Sequence, residues 1–470
     1  MELNNLYTPT QSISAKTYAG KIAGEVLQAI DNFRESRIPM DSSQEMSLYP
    51  EEDNLSEYNP EESEGEEEPW DSISVTTDST PDYIHNIPEF TPDNLIPRTS
   101  NKIEDLVTER IPQTQWFPEW QKRTFPTPLH FQQFKEKLAL AYTLENPEEK
   151  AKAIESLVPH PLPHIPVGGR LSIFHHRWEA VTGDRWVLDT VKEGVEIPWH
   201  KFPPPPQHRS QEYRVEDQYQ EVMLQTTKDW VKKGVAKILP EDNGLAKPGA
   251  IYSPMFPRVQ KDKIRPIVDF KWEVNPHIQD RPYHMDNATT VREVLETGQY
   301  NFAAKFDIAD AFHHILHRKE DRQFLRIRCC GQTLELIAAV FGLKIIPWAF
   351  YKLSRVPVAI IRKNGIPLIL YVDDGKVPGK DEDITLKQIL FSVQVFQYLG
   401  YIFKPQKLML IPKREIEFIG FIWNYLKQTI SIPAVKLRKL RKQLAYLLKP
   451  KGKQKYFHSC PTSWTLFKTW

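Results

Sequence analysis

Residues 368–375, with the sequence LILYVDDG, constrain this chain more than any other segment. An apolar run ends there in two adjacent carboxylates, Asp373 and Asp374. Asp-Gly is a strong signal for a hairpin turn. Neighbouring carboxylates resist joint ionisation, and a divalent cation removes that penalty. Such oxygen ligands suit Mg²⁺, which one or two carboxylates usually hold together with substrate phosphates. Taken alone, the segment is better explained as a surface hairpin, so a catalytic interpretation requires partners elsewhere.

The formal net charge of zero hides an uneven distribution. Residues 41–80 contain 14 acidic and no basic residues. Residues 201–470 contain 44 basic and 26 acidic residues, a net charge of +18, and 15 basic against 2 acidic residues lie in 401–470. A one-sided basic half is typical of a protein that binds nucleic acid.

The three cysteines, Cys329, Cys330 and Cys460, form neither a disulfide framework nor a zinc-binding spacing. Cys329 and Cys330 are adjacent in a strand-like run, so their side chains are expected on opposite faces. No apolar segment reaches about 18 residues, and the first residues do not open a signal peptide. We therefore expect an intracellular protein, in the cytoplasm or nucleus, with no membrane partner.

Three segments precede the basic half. Residues 1–40 are predicted to contain an amphipathic helix, which spans about 14–37. Residues 41–100 are predicted to be a disordered acidic linker. Residues 101–209 are predicted to be a helical and aromatic region, with helical character over 128–157 and a small aromatic module at 167–200 between Pro-rich spacers.

A further carboxylate, Asp307, lies in KFDIADAFHHI. Phe306 and Ile308 alternate with Asp307, so a half-buried strand would present it on the opposite face. If this strand lies beside the LILYVDDG hairpin, three carboxylates meet. They can bind two Mg²⁺ about 4 Å apart, the arrangement that stabilises both oxygens of an in-line displacement. The intervening residues leave room for the helices of a βαβ-type unit.

Basic and glycine-containing turns flank these carboxylates. Lys261 and Arg265 lie at a predicted hairpin and are suited to a triphosphate, although each one taken singly is better explained as a solvated turn charge. Gly342 precedes a predicted helix that extends to Lys363, and a glycine permits close approach of a ligand. Lys344 is compatible with a plain surface charge. Farther on, FIGFIW predicts a strand and tight turn, and residues 436–444 a basic helix with salt-dependent phosphate contacts.

In this order, the motifs resemble the fingers and palm of reverse transcriptases from about residue 245 to 445. The motifs that carry the resemblance are SPMFPRVQKDKIRPIVDF, KFDIADAFHHI, FGLKIIPWAF, LYVDDG, GYIFKPQK and FIGFIW. The resemblance implies an α+β right-hand polymerase, with fingers and palm at 210–425 and a basic partial thumb at 426–470. It also implies an RNA-directed DNA polymerase that uses Mg²⁺ or Mn²⁺, dNTPs and an RNA/DNA template-primer.

The resemblance assigns roles residue by residue. Asp307, Asp373 and Asp374 would be the catalytic, metal-binding carboxylates, and Phe312 would reject a ribose 2′-OH. Contacts to the nucleotide would come from Lys261, Arg265, Asp310, Ala311, Phe312, Gly342 and Lys407, with Lys407 in the place of a proton donor to pyrophosphate. The primer grip would comprise Phe418, Ile419, Gly420 and Phe421.

A narrower resemblance points to DIRS-like retrotransposons, which use a tyrosine recombinase. It rests on GGRLSIFHHRWEAVTGDRWVLDTVKEGVEIPW and on FGLKIIPWAFYKLSRVPVAIIRKNGIPLILYVDD, with its Pro-Trp and its Asn364-Gly365-Ile366 before the hairpin. Gly375-Lys376 departs from the family, which usually continues with apolar strand residues, and is expected to loosen the hairpin. Because residues 446–470 show no ribonuclease H pattern, ribonuclease H and recombinase are expected on other frames or as lost partners. Two alternatives stay open: an RNA-dependent RNA polymerase, and an inactive remnant that only binds nucleic acid.

Overall fold

Three β-sheets and eleven α-helices make up the part of the chain that this computed structural model describes, residues 102–205, 212–240, 249–260 and 263–447. The helices are α1 Lys102–Thr108, α2 Trp116–Thr124, α3 Pro128–Thr143, α4 Pro147–Leu157, α5 His175–Glu179, α6 Arg185–Glu193, α7 Asp217–Lys232, α8 Ala288–Glu296, α9 Ile346–Lys363, α10 Glu382–Tyr398 and α11 Ala434–Leu447. The strands are β1 Ala236–Ile238, β2 Tyr252–Gln260, β3 Lys263–Val268, β4 Phe302–Asp307, β5 Arg326–Cys329, β6 Gln332–Leu336, β7 Ile369–Tyr371, β8 Asp374–Gly379, β9 Met409–Lys413, β10 Glu415–Phe418, β11 Phe421–Asn424 and β12 Thr429–Ser431. The helix predicted over 14–37, the acidic linker, Lys261 and Cys460 lie outside these residues.

The helical segment predicted over 128–157 forms two helices, α3 and α4. Each helix begins with a capping side chain followed by proline: Thr127 accepts from the His130 amide, and Asn146 accepts from the Glu148 amide. Proline disfavours helical backbone in the residue before it, yet suits the first helical position. The Asn146–Pro147 pair therefore ends one helix and starts the next.

The aromatic residues predicted as a small module at 167–200 pack against the end of α10. Trp178 donates from its indole nitrogen to the Leu399 carbonyl at 2.9 Å, and Arg177 donates to the Tyr398 carbonyl at 3.1 Å. Both side chains are almost fully buried. Residues 96–433 form one compact unit, so this segment shares the core of the sheets that follow it.

The four-stranded sheet has the order β7-β8-β4-β9, and all its strand pairs are antiparallel. β4, α9 and β7 form the expected βαβ-type unit in a split form: β4 and β7 both run antiparallel to β8, which lies between them, so they are parallel to each other. The turn after β7 is shifted from the Asp-Gly position. Tyr371 pairs with Asp374, so Val372 (φ +53°) and Asp373 form the turn. Gly375 instead pairs on both sides, with Phe306 and Leu370.

The five-stranded sheet has the order β1-β6-β5-β2-β3. Its β2–β3 hairpin was predicted from the sequence around Arg265, and the described strands confirm it. Cys329 ends β5, whereas Cys330 lies in the following turn with φ +50°. The two sulfur atoms lie 3.8 Å apart. The expectation of opposite faces was wrong, because the alternation of a strand stops where the turn begins.

The three-stranded sheet has the order β10-β11-β12. Ile419 (φ +47°) and Gly420 (φ +80°) form the two-residue turn between β10 and β11, as type I′ hairpins require. Because β12 pairs with β11, this sheet continues past the boundary predicted at 425. The basic helix predicted at 436–444 is α11. Within the described ranges, no helix has the length and apolarity needed to cross a membrane.

Candidate active site

The three carboxylates singled out from the sequence lie at one end of the four-stranded sheet. Asp307 ends β4 and pairs with Asp374, the first residue of β8. Asp373 occupies the turn just before it, and its carbonyl accepts from the Ile308 amide at 2.9 Å. Strand pairing therefore brings Asp307 together with two residues that are 66 and 67 positions away in the chain.

The carboxylates at this edge affect one another electrostatically. Burial, together with the charges of Asp373 and Asp307, raises the pKa of Asp374 to about 6. Burial and the charge of Asp307 also raise the pKa of Asp373. Both shifts express the cost of holding several carboxylates together away from bulk water.

Lys407 acts as the counter-charge of this cluster. Its ammonium lies 2.6 Å from Oδ2 of Asp307. Burial opposes its protonation, but the hydrogen bond to Asp307 and the charges of Asp373 and Asp374 raise the pKa of Lys407 above its usual value. The lysine predicted near the leaving group is thus protonated at neutral pH and lies within this site.

The donor atoms suit a divalent cation bound together with substrate oxygens. No group of three acidic, histidine or cysteine residues is arranged as a complete metal cage among the residues described. One Asp307 oxygen is bound to Lys407, which leaves the other oxygen and the two remaining carboxylates. Mg²⁺ commonly uses one or two carboxylates with substrate phosphates, so an incomplete set of protein ligands is the expected form of such a site.

Asp310 lies beside the carboxylates in a left-handed conformation (φ 46°) at the start of the 3-10 turn Ala311–His314. Lys233 contacts one of its oxygens at 2.8 Å and Lys404 contacts the other at 3.2 Å. Burial opposes ionisation of Asp310, but these two lysines lower its pKa to about 2. The sequence offered no signal for either lysine, because the contacts join positions 77 and 94 residues apart.

Phe312, predicted to select the sugar, is packed in an aromatic cluster. Its ring centroid lies 4.6 Å from that of Phe341 and 5.6 Å from that of Phe350. Phe312 is buried, whereas Phe341 is 66% exposed. Sequence reasoning did not single out Phe341, although it directly precedes Gly342. The ring of Phe312 therefore packs against one buried aromatic ring, Phe350, and one exposed aromatic ring, Phe341.

Gly342 lies where no side chain fits without strain. Its φ is +107°, and a Cβ atom would come within 2.9 Å of the Val268 carbonyl oxygen. Asn275 donates to the Gly342 carbonyl at 2.8 Å. Lys344 forms an ion pair with Asp280 at 2.8 Å, so it secures the turn before α9. Arg265 is exposed on β3 opposite Arg258, and its nucleotide contact stays a prediction.

The residues predicted as a primer grip form the β10–β11 turn and its flanks. Ile419, Gly420 and Phe421 are partly exposed, but Phe418 is only 2% exposed and its ring belongs to the core. Gly375 and Lys376 do not loosen the neighbouring hairpin, because β8 pairs along its length with β4 and, at these positions, with β7. Lys376 is fully buried, which lowers its pKa well below the usual value.

The family comparison covers this same part of the chain. Residues 255–423 match the family model described as "Reverse transcriptase (RNA-dependent DNA polymerase)". This segment, about a third of the chain, is similar to reverse transcriptases, and the α+β right-hand polymerase fold predicted from the motifs is confirmed.

Curated relatives include the Transposon Tf2-7 and Tf2-8 polyproteins of Schizosaccharomyces pombe (strain 972). Each is 19% identical to this chain over 245 residues, which cover 52% of the chain and 16% of the polyprotein. The chain thus spans about a sixth of the length of the curated relatives it matches.

Similar solved structures include the foamy viral protease-reverse transcriptase in complex with RNA/DNA hybrid and the same protein in complex with dsDNA. The first is 16% identical, with a TM-score of 0.42, and the alignment covers 67% of this chain and 37% of that one. The second is 15% identical, with a TM-score of 0.43, and the alignment covers 67% and 58% of the two chains.

Proposed function

We propose that this protein is an RNA-directed DNA polymerase that transfers dNMP from a dNTP to a primer 3′-hydroxyl. The observation that carries the proposal is the meeting of Asp307, Asp373 and Asp374 at one sheet edge, inside the segment that matches reverse transcriptases. The three carboxylates are the metal ligands. Bound Mg²⁺ ions, or Mn²⁺ in their place, supply charge stabilisation for the attacking oxygen and the pyrophosphate.

The surrounding residues bind and orient the nucleotide. Lys407 keeps a proton on Nζ beside Asp307 and is placed to give it to the leaving pyrophosphate. Lys233 and Lys404 hold Asp310 in its left-handed conformation, which aims the backbone of Asp310 and Ala311 at the triphosphate. Arg265 adds positive charge from β3, and Lys261 is proposed from the sequence as a second contact to the nucleotide.

Phe312 sets the choice of sugar. Its ring cannot retreat, because Phe350 lies behind it, so a 2′-hydroxyl beside the ring is excluded sterically. A polymerase that uses ribonucleotides needs a smaller or polar side chain at this position. Deoxynucleotides are therefore the proposed substrates, and the RNA-dependent RNA polymerase alternative is disfavoured.

The proposal extends to the element that encodes the chain. The match to transposon polyproteins supports a retrotransposon origin, and the motifs at 168–199 and 341–350 support the DIRS-like type. Ribonuclease H and a tyrosine recombinase are the proposed partners, and the proposed place of action is inside the cell. Sequencing of the flanking DNA tests the element type: an integrase frame in place of a recombinase frame would exclude it.

Primer extension on poly(rA)/oligo(dT) with Mg²⁺ tests the activity. The wild type should incorporate dTTP, and Asp373→Asn should lower the rate roughly a thousandfold, because several kcal/mol of charge stabilisation depend on the metal ligands. Asp383→Asn is the matched control, since Asp383 contacts Lys135 on the surface. Equal rates for wild type and Asp373→Asn would refute the assignment. Tight template-primer binding without extension in Mg²⁺ or Mn²⁺ would favour the inactive remnant, and a preference for UTP would favour an RNA polymerase.

A further inference from the structure

Lys376 is a buried lysine without a hydrogen-bond acceptor. It lies in β8 between Lys305 on β4 and Ile369 on β7. Its side chain is fully buried, and its ammonium has no hydrogen-bond partner in the part of the chain that the structure describes. Burial without a partner disfavours the charged form of this side chain, so a charged Lys376 requires another source of stabilisation.

Three aromatic rings surround this ammonium. The Nζ atom lies 4.9 Å from the centroids of both Phe418 and Trp423, and 5.3 Å from that of Tyr425. Aromatic faces carry negative charge density and attract a cation, most strongly where water is excluded. We call Phe418, Trp423 and Tyr425 the aromatic cage of Lys376.

The cage belongs to a different sheet from Lys376. Phe418 ends β10, Trp423 lies in β11, and Tyr425 follows β11, whereas Lys376 lies in the four-stranded sheet. Lys305, the cross-strand partner of Lys376, reaches the same three-stranded sheet and donates to the Glu417 carbonyl at 2.9 Å. Two adjacent lysines thus connect the strands that carry the carboxylates to the β10–β11 hairpin.

Both ends of this connection are close to the proposed chemistry. Lys376 is two residues from Asp374, and Phe418 directly precedes the Ile419–Gly420 turn that is predicted to contact the primer. We propose that Lys376 is a positioning residue: its contact with the aromatic cage fixes the β10–β11 turn relative to Asp374 and so sets where the primer terminus lies. The functional half of this proposal rests on the polymerase activity proposed above.

Lys376→Met tests the connection in the full chain. Methionine keeps the length of the side chain and removes its charge, and replacing a buried charge by an apolar group is often tolerated. Lys387→Met is the matched control, because Lys387 also lies over a ring, that of Phe131, away from the three-stranded sheet. Amide hydrogen exchange in β10–β12 should become about tenfold faster in Lys376→Met and stay unchanged in the control. Equal protection in Lys376→Met and wild type would overturn the proposal.

Fluorinated phenylalanine at position 418 separates charge from packing. One, two and three fluorine atoms withdraw electron density from the ring with little change of shape. Because Phe418 is buried, the substitution does not alter a direct primer contact. Exchange in β10–β12 should accelerate stepwise with each fluorine if a cation on Lys376 holds the cage. Equal exchange across the series would mean that apolar packing alone holds it.

Extension kinetics test the consequence for function. We expect Lys376→Met to lower kcat about tenfold and to leave the KM for dTTP and the melting temperature unchanged. The control Lys387→Met should leave all three quantities unchanged. Unchanged kcat, or a loss that follows a lowered melting temperature, would overturn the positioning role. If the wild type itself fails to extend a primer, the proposed function fails, and hydrogen exchange still decides whether Lys376 connects the sheets.

Discussion

When no cation is bound, burial and the neighbouring carboxylates destabilise the charged form of Asp374. Its pKa of about 6 lies above the value of 3.8 expected for an isolated aspartate. A raised folded-state pKa means that the folded state binds the proton more tightly than the unfolded chain. The resulting stabilisation is present below pH 3.8 and is lost as the pH rises through about 6.

Asp374→Asn should therefore stabilise the metal-free protein at pH 7 and above. We expect a gain of about 2 kcal/mol in the free energy of unfolding in EDTA, which shrinks toward zero near pH 4. Urea unfolding at pH 4, 6 and 8 measures the change. Asp383→Asn, on an exposed carboxylate, should show no such pH-dependent gain, and a gain for Asp374→Asn that is independent of pH would contradict the electrostatic explanation.

Phe312→Ala should relax the choice of sugar. Removing the ring opens the space in which a 2′-hydroxyl would lie, so the ratio of kcat/KM for dTTP over UTP should fall by about a hundredfold, or about 2.7 kcal/mol. Phe341→Ala, at the exposed ring beside it, is the comparison. An unchanged ratio in Phe312→Ala would remove this residue from sugar selection.

At the level of single residues, the sequence predicted the site correctly where the residues suited to metal binding also lie on strands that pair. The adjacent carboxylates and Asp307 were identified because their spacing fits paired strands, and β4 and β8 do pair there. The turn was predicted two residues late, because the Asp-Gly preference yields to the pairing of Asp374 and Gly375 with β4. The sequence wrongly predicts that Lys376 loosens the hairpin, because its favourable contacts lie in a sheet formed some 40 residues later in the chain.

At the level of elements, Arg170 joins the segment before the polymerase-like part to the turn that follows α10. Its guanidinium donates to the carbonyl oxygens of Gly400 (2.9 Å), Ile165 (2.8 Å), Leu162 (3.0 Å) and Pro161. Burial and the nearby charge of Arg177 lower its pKa to about 10, so it stays charged at neutral pH. The fixed fork of donors suits a site lined by carbonyl oxygens.

Arg170→Met should destabilise the protein by about 3 kcal/mol, because it leaves several buried carbonyl groups without a donor. Urea unfolding provides the measurement. Arg292→Met is the control: Arg292 forms an exposed ion pair with Glu296, and its loss should cost less than about 0.5 kcal/mol. A change of similar size in both variants would show that Arg170 does not fix this junction.

The spacing of apolar residues predicted where helices and strands lie better than it predicted which of them contact one another. The β2–β3 hairpin and α9 lie where alternation and helical spacing indicate them. The packing of Arg170, Arg177 and Trp178 on residues 398–400 has no such signal, because a side chain that donates to a distant carbonyl leaves no pattern in the sequence. A module that looks separate in composition therefore belongs to the common core.

For the whole molecule, the distribution of charge matters more than its sum. Residues 434–470 contain ten basic and no acidic residues, although the complete chain is neutral. In the described part of this segment, Arg438, Lys439, Arg441 and Lys442 are exposed on α11. Such an arrangement favours phosphate contacts, whose strength depends on the release of counterions.

Replacing those four residues of α11 by glutamine should weaken template-primer binding and its salt dependence together. Each lost phosphate contact lowers the slope of log Kobs against log[salt] by about 0.7 to 0.9. Fluorescence anisotropy between 50 and 300 mM KCl gives the slope for the full chain. The double change Lys137→Gln and Lys152→Gln, at exposed positions of α3 and α4, should leave it unaltered. An undiminished slope in the fourfold variant would exclude α11 from the nucleic-acid interface.

The residue sizes tolerated at positions 375 and 306 depend on each other, because Gly375 lies against the Phe306 ring. A Cβ atom on Gly375 would come within 2.2 Å of the Phe306 ring, which packs in turn on Phe396 and Phe403. Neither position can gain volume alone, so evolution must change them as a pair. Homologues with a larger residue after the two aspartates should carry a smaller one at the position before Asp307, and this covariation would be visible in an alignment.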